Sequence, residues 1–230
     1  MAFLRITPGV SALAATGRVL SGDPLAVSDA LKDAVLKRDD YTCRYCGFRA
    51  ERYQDINYTG GDKVEAKPES YVAACVFCHQ CFHLERVALQ QSGTVIFLPE
   101  IGQAALNHMC RAIYLARITQ GPVAESAREA LDALLARRAE AKARIGTDDP
   151  RTLASVLQEF LEEKEYAARA QRLKGIRILP LDRRIVREGE LEFNQFPQIL
   201  AWWRGKDGPF ADVPPRDWPK MFYEARLKAA

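Results

Sequence analysis

Histidine is scarce in this chain: among 230 residues there are three, His79, His83 and His108, and none lies between Cys46 and Cys75. A hydrolytic centre that needs an imidazole to take a proton from water has few places to find one. No Ser/His/Asp set can be assembled when two of the three histidines adjoin a cysteine cluster. No Gly-rich phosphate loop is present, which removes the nucleotide-binding classes built on one. No apolar run approaches the length of a membrane span. The Ala- and Leu-containing stretch between Ser11 and Ala15 is short and is followed by Gly17 and Arg18, so it reads as part of an irregular N-terminal arm rather than a secretory signal. Low-complexity runs and repeats at solenoid spacing are also absent. The formal net charge of +3 is too small by itself to nominate nucleic acid as a partner. These absences predict a cytoplasmic globular protein with one sizeable core, or one core plus a small satellite that needs a staple of its own.

Cysteine is what the chain has in one place. All six lie between positions 43 and 110, five of them within Cys43 to Cys81. In a reducing compartment such a cluster reads as metal binding rather than as disulfides. Cys43-x-x-Cys46, a gap of 28 residues and Cys75-x-x-Cys78 form two turns with two thiolates each, enough to close a tetrahedral shell around Zn2+. Cys81 makes a further Cys-x-x-Cys with Cys78, and His79 and His83 stand close by, so one ligand could be exchanged among them. Cys75 and Cys78 are preferred because a knuckle just before a helix presents both sulfurs to one side. Cys81 and Cys110 then read as small buried apolar side chains.

Around the cysteines the pattern predicts a helix capped by Ser28, with Leu31, Ala34, Val35 and the stem of Arg38 on one face. Residues 48 to 58 and 70 to 75 have the character of short strands, separated by Gly60-Gly61 and Pro68, and a helix is expected from His79 to Gln90. Farther on, Pro99 and Glu100 open a helix with a wide apolar stripe through Ile101, Ala105, Leu106, Met109, Ala112 and Ile113, on which His108 reads as a core or boundary residue. Pro122 opens another helix, with Ala127, Leu131, Leu134 and Leu135 on one side and Arg137, Arg138, Lys142 and Arg144 as a solvated face. Asp149 caps a third, with Pro150 in its first turn and Gly175 as its stop. The basic run from Gln171 to Glu188 reads either as a solvated connector or as a contact for an acidic segment or phosphates. Trp202, Trp203 and Trp218 near the C-terminus read either as interface anchors or, as the preferred reading, as docking that segment on its own domain.

"KRDDYTCRYCG" followed by "ESYVAACVFCHQC" resembles the zinc-supported frame of HNH endonucleases. That resemblance implies a general-base histidine on the hairpin, where this chain has Ile56 and Asn57. A second expected polar position is Ser70, and only the position after the second knuckle is filled, by His79. Neither an isoleucine nor a neutral amide accepts a proton from water near neutral pH. A wider resemblance runs from about Val27 to about Pro180. "RDDYTCRYCGFRAERYQDIN", "AACVFCHQCFHLERV", "GTVIFLPEIGQAALNHMCRAIYLA" and "IRILP" are similar to the IcmJ/DotN family of Dot/Icm-type (type IVB) secretion systems. The last 40 residues have no counterpart in that resemblance.

The resemblance implies a cytoplasmic, HNH-like but non-catalytic zinc protein, recruited to the inner-membrane secretion complex. It would bind the C-terminal extension of a DotL-like coupling ATPase and sit among other coupling-complex adaptors. Nucleic acid and membrane insertion are not expected. Zn2+ on Cys43, Cys46, Cys75 and Cys78 is the expected cofactor, and no catalytic residue is expected. The fold expected is α+β and mainly α, an HNH-like ββα zinc module with a helical bundle around it. Residues 1–27 would be an N-terminal arm, 28–98 the zinc module, 99–190 a helical domain packed on it, and 191–230 a Trp-rich extension. An HNH-type metal-dependent nuclease and a zinc-ribbon nucleic-acid-binding protein are the alternatives.

Overall fold

The computed structural model describes residues 3–11, 27–59, 66–214 and 217. Most of the apolar run at 11–15, the Gly60-Gly61 pair and Trp218 therefore lie outside the described residues. The chain is a mixed α+β protein with small antiparallel sheets: the described residues hold three two-stranded sheets among a majority of helices.

Ser28 caps the first helix, α1 (Asp29–Arg38), by accepting from the Leu31 amide. Val35 and Leu36 of α1 pack on a hairpin made of β1 (Gln54–Tyr58) and β2 (Tyr71–Cys75), with Ile56 opposite Ala73. Arg38 ties the two together, since its guanidinium donates to the carbonyls of Pro68 at 2.6 Å and Tyr71 at 2.7 Å. The first strand is shorter than its sequence suggests. Tyr53 takes a left-handed backbone, φ +56°, and this interrupts the extended run before Gln54.

The helix expected over 79–90 is also divided. α2 (Val76–His79) passes into a 3-10 turn over Gln80–Phe82, and α3 (Leu84–Gln90) begins after His83, whose φ of −137° and ψ of 58° lie outside the helical region. The N-terminal segment occupies the break. The Gly9 amide donates to the Cys81 carbonyl at 2.9 Å, and the Gly9 carbonyl accepts from Leu84 at 3.1 Å. Residues 3–11 thus form an irregular strap, with Val10 fully buried.

β3 (Gly93–Phe97) is followed by α4 (Gln103–Arg117), α5 (Pro122–Ala136), α6 (Arg138–Ile145) and α7 (Pro150–Glu159). Helix α4 is central, as its wide stripe predicts, and buries Leu106, Cys110, Ile113, Tyr114 and Leu115. The arginines after α5 are paired rather than merely solvated: Arg137 with Glu100 at 2.9 Å, Arg138 with Asp148 at 2.7 Å and Arg144 with Glu140 at 3.0 Å. Asp149 caps α7 through the amides of Arg151 and Thr152. The helix does not run on to Gly175. It stops at Glu159, and Glu162 starts α8 (Glu163–Ala167) with a reciprocal capping box to Glu165; α9 (Arg169–Arg172) follows. A second cap with its own acidic partner competes with continuation of α7, and here it wins.

The basic run after Gln171 is a strand in its middle part, not a solvated connector. β4 (Ile176–Pro180) pairs antiparallel with β3, placing Ile178 opposite Val95. Ile176, Ile178 and Leu179 are buried, while Arg177 interrupts the apolar pattern and donates to the Ile101 carbonyl at 2.9 Å. A hairpin of β5 (Ile185–Glu188) and β6 (Leu191–Asn194) leads to α10 (Phe196–Arg204). Trp203 of α10 is fully buried, and Trp202 meets Tyr53 edge-on at 6.0 Å. One apolar core joins the cysteine turns to α4, α5 and α10; a second joins α3, β3, β4 and α7.

The outer edge of β4 is closed by a side chain. Gln103, 5% exposed, donates its amide to the Ile178 carbonyl at 2.7 Å and accepts from the Ile178 amide at 2.9 Å, standing in for a third strand. Gln103→Leu leaves both backbone groups buried without those partners. At about 1–3 kcal/mol for each unsatisfied group, urea unfolding should register a loss of roughly 2–4 kcal/mol. A loss under about 0.5 kcal/mol, the size of an ordinary surface change, would show that Gln103 does not seal this edge.

Candidate metal centre

Two cysteine turns of different construction face each other. In the first, Gly47 takes φ +73°, its amide donates to the Cys43 carbonyl at 2.8 Å, and the Cys43 amide donates to Phe48 at 3.0 Å. A Cβ on Gly47 would come within 2.6 Å of the Phe3 ring, so both the backbone angle and the space require glycine. In the second turn, Cys75 stands at the cap position of α2 with extended backbone, and Cys78 lies within the first helical turn. Both sulfurs of that turn therefore point the same way.

The Sγ atoms of Cys43, Cys46, Cys75 and Cys78 all lie within 4.8 Å of one another, and those of Cys46 and Cys75 are 3.7 Å apart. A tetrahedral zinc with about 2.3 Å bonds has sulfur–sulfur edges of roughly 3.8 Å, so the four thiols lie close enough together to hold a metal ion and are compatible with zinc. All four cysteines are buried, as a closed structural site requires.

The other candidates from the sequence lie elsewhere. Cys81 is outside the group; its thiol donates to the Phe77 carbonyl at 3.3 Å, and it belongs to the second core with Leu84 and Val87. Cys110 is a buried core residue. His79 and His83 stack on each other with ring centres 4.2 Å apart, and neither joins the four sulfurs. At the positions where the HNH resemblance asks for a base, Ile56 faces α1 in the core and the Asn57 amide donates to the Tyr45 hydroxyl at 2.7 Å. Ser70 closes a 3-10 turn over Pro68–Ser70.

Helix α4 supplies three polar residues to the cysteine group that sequence reasoning missed or placed only in outline. The Asn107 amide donates to Cys78 Sγ at 3.2 Å. His108, read from the sequence as a boundary residue, has Nε2 at 2.8 Å from the Cys46 carbonyl. Arg111 is 1% exposed and reaches Cys75 Sγ at 2.7 Å and Cys46 Sγ at 3.8 Å through Nη2. Its guanidinium carbon lies 4.1 Å from the Phe48 ring centre and 5.2 Å from that of Phe77. The available signal was the one-turn spacing of Asn107 and Arg111 beside an otherwise apolar stripe.

Arg111 bears on the charge state of the sulfurs. Its Nη atoms reach sulfur and His108 Nδ1 and its buried Nε has no hydrogen-bond partner among the described residues; an isolated buried cation is costly. Burial works against its charged form, yet the surrounding cysteine sulfurs hold its pKa above the ordinary arginine value. Burial also opposes ionisation of the cysteines and keeps Cys43 and Cys78 above the usual thiol range; hydrogen bonds from the neighbouring thiols and the Arg111 charge bring Cys46 below it. A divalent ion bound by four thiolates carries a net charge near −2, the kind of anion a buried guanidinium needs. The donor set therefore fits a metal on chemical grounds as well as by distance.

No family model matches the chain. Over 150 residues, covering 64% of this chain and 70% of the relative, it is 35% identical to the type 4 apparatus protein DotN of Legionella pneumophila subsp. pneumophila (strain Philadelphia 1).

Metal analysis of the purified protein should give one zinc per chain. Cys46→Ser and Cys78→Ser should each lower metal content and solubility together, because metal binding contributes directly to the folding of a small module. A wild-type protein carrying well under one zinc per chain would remove the zinc assignment.

Proposed function

The chain belongs to the family of the type 4 apparatus protein DotN, and from that premise we propose that it is a non-catalytic, zinc-containing adaptor subunit of a type IVB secretion coupling complex. On this reading zinc is held by Cys43, Cys46, Cys75 and Cys78 as a structural ion. The protein works in the cytoplasm at the inner-membrane secretion complex, where it binds the C-terminal extension of the coupling ATPase and positions it for other adaptors. The observation that carries the proposal is the 35% identity spread over 70% of the relative, a span far longer than a cysteine knuckle alone. The absence, among the described residues, of a helix long and apolar enough to cross a membrane is compatible with it.

The local chemistry supports the non-catalytic part. A metal closed by four cysteines has no open position for water, so it cannot generate a hydroxide nucleophile. The places where a hydrolytic base is expected hold a buried isoleucine and an asparagine amide engaged with Tyr45. A well-specified fold whose expected base positions hold no proton acceptor is suited to binding rather than turnover.

Two measurements test the proposal. Isothermal titration with the ATPase's C-terminal extension should give saturable binding with a negative heat-capacity change, the mark of apolar burial. An extension that fails to bind, while DNA binds with an affinity that falls steeply with salt, would replace the adaptor reading by the zinc-ribbon one. Incubation with duplex and single-stranded DNA plus magnesium or manganese should leave both substrates intact. Cleavage that disappears in His79→Ala would establish the nuclease alternative instead.

A further inference from the structure

A groove of about 430 Å3 lies between the N-terminal strap and the start of α4. Residues 3–7 of the strap line it, together with Ile101, Gly102, Ala104 and Arg177. Leu4 is 39% exposed, and Ile6 and Ile101 are half-buried, so the lining offers apolar surface that the fold leaves uncovered. Its charge is mainly of one sign. Arg5 is exposed and Arg177 half-buried, while the one carboxylate of the lining among the described residues, Glu100, is paired with Arg137 at 2.9 Å. Helix α4 adds to this, since its cap residue Gly102 brings no side chain to the first amides and its first turn holds no acidic residue. The main chain of the strap is available as well. Among the described residues the amides and carbonyls of Arg5, Ile6 and Thr7 make no hydrogen bond, although the strap is fixed on both sides of them, by Leu4 on the Arg44 carbonyl at 3.0 Å and by Gly9 on that of Cys81 at 2.9 Å.

We propose that this groove docks an extended acidic segment of the partner protein, whose carboxylates meet Arg5 and Arg177 and whose main chain pairs with residues 5–7. This rests on the adaptor reading and adds to it the face and the chemistry of the contact. Charge selects the occupant first: two arginines repel a basic segment and attract carboxylates, which a guanidinium can take in two parallel bonds. The main chain selects its shape. Unbonded amides and carbonyls on a stretch already fixed at both ends suit a strand-like segment laid beside them, with little further ordering of the strap to offset the gain. The apolar lining selects peptide over phosphate, because Leu4, Ile6 and Ile101 reward apolar side chains that an inorganic anion or a nucleic-acid backbone does not have. Arg177 is prepared for the contact. The carbonyls of Ile101 and Ile176 accept from its Nε and Nη1 and hold the guanidinium in one orientation, with Nη2 unpartnered among the described residues.

Isothermal titration of the full chain with the ATPase's C-terminal extension, at low and at high salt, reads the contact directly. The wild type should bind with an affinity that falls as salt rises. Gly102→Asp sets a carboxylate in the groove without disturbing the fold: the backbone there is extended, a Cβ meets nothing within 4 Å, and Asp is a good helix cap. Its melting temperature should therefore hold or rise, while affinity for the extension drops about tenfold. Arg5→Glu should weaken binding to a similar degree, and Arg128→Glu, the same charge change on the exposed side of α5, should leave it unaltered. A fold defect cannot lower affinity while stability holds. An extension whose Glu and Asp residues are replaced by Gln and Asn should bind the wild type weakly and lose nothing further on Gly102→Asp, the mark of a direct pairing. If both groove variants bind the intact extension as the wild type does, or Arg128→Glu weakens it equally, the groove is not the docking site and the adaptor reading stands. A wild type that binds no extension defeats the adaptor reading and this inference together. If Gly102→Asp changes the mass of the free protein in light scattering, the groove belongs to a contact with a second copy of the chain, and the proposal is overturned.

Discussion

The arrangement around the cysteines depends on where a buried positive charge finds its compensation. Arg111 is nearly inaccessible to water, and among the described residues no carboxylate answers it. Among the described residues, the cysteine sulfurs of Cys75 and Cys46 stand beside its guanidinium. Bringing four thiols to one end of a guanidinium fixes several things at once. It sets the facing of the two turns, the rotation of α4 that directs Asn107, His108 and Arg111 toward them, and the need for aromatic cover on the remaining face. Helix α4 is consequently both the central helix of the larger core and the support of the cysteine group.

That double role addresses the weakness of the module in front of it. The face between α1 and the β1–β2 hairpin is small, with Val35, Leu36, Ile56, Tyr58, Tyr71 and Ala73 as its buried residues. A two-stranded hairpin with one helix on it buries too little apolar surface to stand alone. Two supports are present: the cysteine group, able to contribute binding free energy to folding, and the packing of Phe48, Phe77 and Phe82 into the core shared with α4 and α10. The β3–β4 ladder adds a tie between residues 93–97 and 176–180, far apart in the chain.

Legibility in the sequence followed the range of the interaction. The caps at Ser28 and Asp149, the apolar stripes of α4 and α5 and the pairing of two Cys-x-x-Cys turns are set by residues within a few positions of one another, and they could be read directly. What could not be read was set by distant partners. His83 breaks a helical stretch because Gly9 bonds on both sides of it. The strand at 176–180 was hidden by Arg177, whose charge is satisfied by a carbonyl 76 positions earlier. Arg111 carried no local signal of its role, since the sulfurs it reaches come from Cys46 and Cys75, 65 and 36 positions earlier. Trp203 was legible as a docking residue, but its target was not, since nothing local links position 203 to Phe48 and Phe77.

Hydrolysis and metal holding would depend on different atoms of such a frame. A hydrolytic base must stand free to meet water, and the positions that the HNH resemblance assigns to one hold Ile56, packed under α1, and Asn57, whose amide donates to Tyr45. Removing one cysteine from the group would leave three buried sulfurs and a guanidinium without balanced charge, a cost borne by the fold itself. On the adaptor reading, a metal on the four cysteines is kept for the shape it maintains.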